Sequence, residues 1–118
     1  MKITPFTSTV PHSALDDLQL RIRNTRWPED ALEEGWLSGT NLDYLKELTL
    51  YWSTQFSWGQ VEDRINSYPN FIAEIDGFNI HFVHIKGKGS QSLPIIITHG
   101  WPGSFLEMLD IIPFLGEN

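Results

Sequence analysis

The apolar residues change their period at Pro69, and that change limits the possible folds more than any other feature of the chain. Ahead of it they recur at helical spacing, and beyond it they alternate. Leu15, Leu18 and Ile22 predict a helix after Pro11, with Ser13 as N-cap and Asp16 in the capping-box position. Pro28 biases Trp27 away from helix, so this helix should end around residues 24–26. Glu29 to Thr40 reads as an ordered loop anchored by Trp27 and Trp36. A second helix is expected after Asn41, carrying Leu45, Leu48 and Trp52 on one face. A third, with Ser57 and Gln60 as its capping box, holds Trp58, Val61 and Ile65. Past Pro69, Phe71, Ala73 and Ile75 alternate toward Asp76-Gly77, a strong hairpin signal because a type I′ turn needs φ > 0 at both central positions. Phe78 to Ile85 reads as the return strand, and Lys86 to Ser92 as a loop. Leu93 to Thr98 is apolar almost throughout, as in a strand covered on both faces. Ser104 and Glu107 then open a last helix through Phe105, Leu106, Met108, Leu109 and Ile112, limited by Pro113.

The expected class is therefore α/β. Residues 1–68 form a helical region and residues 69–118 a hairpin followed by the first buried strand and helix of a core, together one incomplete domain. At 118 residues there is no room for two full domains. Eight Lys and Arg against 15 Asp and Glu leave a net charge of −7, which argues against nucleic acid or anionic lipid as a partner. With no cysteine, disulfides, thiol nucleophiles and Cys-built zinc sites are excluded. Met1 to Pro5 lacks the apolar run of a signal peptide, so the expected location is cytoplasmic. Four of the five Trp fall between Trp27 and Trp58, a density that calls for extensive packing, part of it against something outside this chain.

His81 and His84 stand three apart on an expected strand, point to opposite faces and cannot share an ion, so no metal site is expected. The carboxylate pairs Asp16-Asp17, Glu29-Asp30, Glu33-Glu34 and Glu62-Asp63 are adjacent residues on polar faces or loops, not two acids sharing a cleft. Gly87-Lys88-Gly89 lacks the rest of a phosphate loop and precedes a strand. The specific signal is His99-Gly100-Trp101-Pro102-Gly103-Ser104. It follows the most apolar segment and precedes a capped helix, where open α/β sheets place their active sites. Gly100 and Gly103 let the backbone bend, Pro102 stiffens it, and the Trp101 N–H is free to face developing negative charge, as an oxyanion hole requires. A plain strand-to-helix turn would need the same glycines, and the residues alone weigh the two readings about evenly.

This hexapeptide is similar to the H-G-x-P oxyanion loop of α/β-hydrolase-fold epoxide hydrolases, the microsomal-type branch in particular. Other stretches resemble the N-terminal domain of that branch: Ile3 to Phe6, Arg26-Trp27-Pro28, Gly39-Thr40 before Leu42-Asp43-Tyr44-Leu45, Tyr51-Trp52, and Ile75-Asp76-Gly77 followed by Ile80-His81-Phe82. The resemblance runs from about Ile3 to Leu115, and the order and spacing of its motifs make it specific.

The resemblance implies an α/β-hydrolase fold and addition of water to an epoxide, without metal or organic cofactor. An aspartate opens the epoxide to an alkyl–enzyme ester. A histidine held by an acid activates the water that hydrolyses it, two lid tyrosines attend the epoxide oxygen, and the oxyanion loop steadies charge. Only that loop carries over: the Trp101 N–H as donor, framed by His99, Gly100, Pro102, Gly103 and Ser104. No G-x-nucleophile-x-G elbow is found, since Gly35-Trp36-Leu37-Ser38-Gly39 sets its Ser one position late. His99 does not match the catalytic histidine, and Tyr44, Tyr51 and Tyr68 do not match the lid. The chain is thus expected to be the N-terminal portion of an epoxide hydrolase, inactive alone, with an epoxide substrate and the missing C-terminal portion as partners and a tendency to self-associate. Rival readings are an esterase or dehalogenase fragment of the same fold and a non-enzymatic interaction module.

Overall fold

The structure is a computed structural model that describes residues 1–29, 35–37 and 39–116. It divides into two compact units, one of residues 9–59 and the other of residues 1–8 and 60–118.

In the first unit, helix α1 (His12–Arg23) starts from Pro11, whose carbonyl accepts from the Ala14 N–H at 2.9 Å. Ser13 is therefore not the N-cap. Proline sits naturally at a helix start, where no intrahelical donor is needed, and as N-cap Pro11 starts the helix at His12, one residue before the serine. Asn24 ends α1, within the expected limit, and Ile22 is its buried residue. Helix α2 (Leu42–Thr54) begins as expected after Asn41, whose side chain accepts the Tyr44 N–H at 2.9 Å. The expected loop from Glu29 to Thr40 falls partly on residues 30–34 and 38, which lie outside the described residues, as do Glu33, Glu34 and Ser38. Within it Trp36 packs on Tyr44, ring centroids 5.2 Å apart. Trp36, Tyr44, Tyr51 and Trp52 all remain exposed. Leu15, Leu18, Leu48, Tyr51, Trp52, Phe56 and Trp58 line an apolar cleft of about 570 Å³.

Helix α3 (Trp58–Asn66) follows Ser57 and carries Ile65 inward. The second unit is built on a sheet of order β1-β2-β3, all antiparallel: β1 (Lys2–Phe6), β2 (Asn70–Ile75) and β3 (Phe78–Val83). Asp76 and Gly77 close the hairpin at φ 50° and 83°, as a type I′ turn demands, and β3 stops at Val83, two residues short of the expected end. Strand β1 has no counterpart in the expected element order. It holds Pro5, which has no N–H for a ladder and is tolerated because β1 is an edge. Residues opposite one another share a face. Ile3, Ala73 and Ile80 thus lie on one side of the sheet, and Thr4, Ile72 and His81 on the other.

Two expectations are corrected. Leu93 to Thr98 forms no strand, and Leu93 (84%) and Ile96 (92%) are the reverse of buried. A strand exists only through its ladder, and no strand among the described residues pairs with this run. The last helix is also not continuous. A 3-10 helical turn (Phe105–Met108) is followed by a separate helix α4 (Ile112–Gly116). Pro113 cannot donate to the carbonyl four residues back, so it opens α4 rather than limiting what precedes it.

Candidate functional site

The loop His99–Ser104 folds on itself. The Gly103 N–H donates to the Gly100 carbonyl at 2.8 Å, and the Trp101–Pro102 peptide between them is cis. This is the turn class that carries a cis proline at its third position. A ring nitrogen of His99, Nδ1, lies 3.4 Å from the Gly100 carbonyl. Among the described residues the Trp101 N–H has no hydrogen-bond partner, and the Trp101 residue is 97% exposed.

Ser104 ends the loop in extended conformation and caps the helical turn, its Oγ accepting the Leu106 N–H at 3.4 Å. The expected capping box with Glu107 is not closed, since Ser104 Oγ takes the Leu106 N–H and the Glu107 carboxylate folds back against Gly103 instead. The expected loop residues therefore sit together in one turn. The expected strand ahead of them is not formed.

Behind the loop lies a cluster that the sequence reading passed over. Phe105 packs against His81 of β3 with ring centroids 4.7 Å apart, and Phe6 of β1 approaches the same imidazole at 5.3 Å, both edge-on. His81 Nε2 lies 2.9 Å from Asn70 Oδ1. Asn70 is 4% exposed, and its Nδ2 donates to the Ile65 and Tyr68 carbonyls, 2.7 Å each. With both amide hydrogens committed, Oδ1 can only accept, so His81 Nε2 carries a proton. Burial lowers the His81 imidazole below its ordinary value of 6.5. The detectable signal was a histidine flanked by Ile80 and Phe82 on a strand whose hairpin partner starts with a polar Asn.

Further along, the Tyr68 hydroxyl donates to the Leu109 carbonyl at 3.3 Å, Leu109 is 1% exposed, and Arg64 pairs with Asp110 at 2.5 Å. Among the described residues no three His, Asp or Glu side chains gather to hold a metal, and no helix is long and apolar enough to cross a membrane.

A family model described as the epoxide hydrolase N terminus matches residues 3–108. The chain is 47% identical over 115 residues to a putative epoxide hydrolase of Stigmatella aurantiaca, covering 98% of this chain and 26% of that protein. It is 37% identical to epoxide hydrolase 1 of Oryctolagus cuniculus, again over 98% of this chain and 26% of the relative. The structure of Aspergillus niger epoxide hydrolase superposes with a TM-score of 0.87 at 32% identity, over 97% of this chain and 30% of that one. The chain spans about a quarter of the length of the curated relatives it matches.

Proposed function

The chain belongs to the epoxide hydrolase N-terminal family, and from that premise we propose that it supplies the oxyanion loop of an enzyme adding water to epoxides. A carboxylate elsewhere in the whole protein attacks an epoxide carbon. The ring C–O bond breaks, its oxygen takes a proton, and an ester joins substrate to enzyme. An activated water then adds to the ester carbonyl, whose oxygen gains negative charge until the diol leaves and the carboxylate is restored. The Trp101 N–H steadies that oxygen. The observation that carries this reading is the unbonded Trp101 N–H, held in a tight turn ahead of a capped helical turn. A donor of fixed direction that is not tied up in backbone pairing needs little rearrangement when charge develops.

The nucleophile, the histidine–acid pair and the lid tyrosines belong to the rest of the enzyme, and no metal or organic cofactor is called on. The names of the relatives favour epoxide chemistry over ester or haloalkane hydrolysis on the same fold.

Trp101→Pro removes the donor outright, whereas Trp101→Phe keeps it. In a complete enzyme the proline variant should still form the ester but hydrolyse it slower by about 10²–10³-fold, and the phenylalanine variant should stay close to wild type. Single-turnover kinetics that follow the ester separately check this. Equal hydrolysis rates in both variants would reject the assignment.

A further inference from the structure

We propose that His81 is a positioning residue for the His99–Ser104 loop: clamped by Asn70, its imidazole bears on Phe105 and so fixes the direction of the Trp101 N–H. The functional meaning rests on the oxyanion reading above, while the mechanical claim stands apart from it.

The loop cannot orient itself. His99 to Pro102 are exposed, and the Gly103-to-Gly100 backbone bond is internal to the loop. Among the described residues, the one backbone bond leaving it runs from the Glu107 N–H of the helical turn to the Ser104 carbonyl. On its N-terminal side residues 93–98 join no ladder, so direction has to come from the C-terminal side. There the helical turn is held at both ends. Its far end is fixed by buried Leu109 and by the Tyr68 hydroxyl on the Leu109 carbonyl. Its near end is Phe105, joined directly to capping Ser104 and resting on the His81 ring.

His81 is a firm surface because three contacts hold it. Phe6 lies against it, Phe105 lies against it, and Nε2–H donates to Asn70. Asn70 cannot turn its Oδ1 away without losing two bonds to the Ile65 and Tyr68 carbonyls. The path runs from the C-terminal end of α3 through Asn70 and His81 to Phe105 by two hydrogen bonds and a ring contact, and from Phe105 to the loop by the peptide bond to Ser104. An aromatic alone would serve for packing. The imidazole adds a donor that locks its own rotation.

Two substitutions separate these roles. His81→Gln retains an N–H for Asn70 but removes the ring, and His81→Phe retains the ring but removes the donor. Hydrogen exchange followed by mass spectrometry is applied to the 118-residue chain, reading the amides of Gly103, Glu107 and Leu109 against those of β2. In His81→Gln the loop and helical-turn amides should exchange about two- to tenfold faster while β2 is unchanged. In His81→Phe the sheet should loosen at least as much as the loop. Unchanged Gly103 and Glu107 in His81→Gln, or an equal rise everywhere, would overturn the proposal. In a complete enzyme, His81→Gln should slow ester hydrolysis without slowing ester formation. If exchange responds as expected but the wild-type enzyme opens no epoxide, the oxyanion reading fails and the positioning role stands. If the enzyme is active and exchange does not respond, the positioning role fails alone.

Discussion

Asn70 sits where one side chain closes three hydrogen bonds inside a small unit, and its loss exposes how much that unit depends on a single amide. Asn70→Ala leaves the Tyr68 carbonyl and the His81 N–H without their partner in a part-buried setting, and takes from the Ile65 carbonyl one of its two donors, the other being the Tyr68 N–H at 3.2 Å. The expected cost is about 2–3 kcal/mol, read as a lower urea midpoint with an unchanged slope. His81 adds a dependence on pH. Its folded value is lowered by burial, so between 6.5 and that lower value the unfolded chain takes up a proton that the folded chain refuses. The stabilisation is complete above 6.5 and is lost as pH falls through the folded value. Thermal unfolding of wild type and His81→Gln should therefore diverge with pH, the wild type losing more stability on acidification. Parallel profiles would assign the acid sensitivity to other groups. Asn70 is legible only through its pairing with His81 across the hairpin, since its other two partners are the Ile65 and Tyr68 backbone carbonyls, which carry no side-chain signal. The loop itself was legible because Gly, Pro and Ser each leave a distinct mark on backbone freedom.

Elements differ in how locally they are specified, and the differences follow physical reach. The hairpin is encoded by two adjacent residues, and its register, with Ile75 opposite Phe78, follows from them. Gly77 holds φ 83°, so Gly77→Ala should destabilise the chain by about 1 kcal/mol, and a thermal melt checks it. Helix α2 is similarly local. Asn41→Ala should cost about 1 kcal/mol through loss of the bond to the Tyr44 N–H. Strand β1 was not legible, because five residues including a proline have no period of their own and gain strand geometry only from β2. The opposite failure occurred at Leu93 to Thr98. Its composition suits a doubly covered strand, but a ladder needs neighbours that this chain's described residues do not provide. Sequence shows what a segment is suited to become, while pairing decides whether it does. The α1 cap failed for a smaller reason: Pro11 outcompetes Ser13 for the helix start.

At the scale of the whole molecule, apolar surface is the dominant liability. Leu93 at 84% and Ile96 at 92% exposure lie in a run, residues 93–98, whose backbone groups join no ladder among the described residues. Such a run is a template for pairing with a second chain. The 118-residue chain should self-associate with rising concentration, and Ile96→Lys should reduce the effect in sedimentation velocity. A monomer at all concentrations, with or without the lysine, would show that the run is satisfied by other means.

In the function proposed above, this chain provides the charge-stabilising loop of an epoxide-opening enzyme and the rest of the protein provides the nucleophile. The direct measurement is diol formation from styrene oxide by the purified chain, alone and after mixing with a separately produced remainder of the enzyme. The chain alone should give no turnover, and mixing should recover it. With a Trp101→Pro chain in the mixture, recovery should fall by about 10²–10³-fold. Turnover by the chain alone, or full recovery with Trp101→Pro, would contradict it.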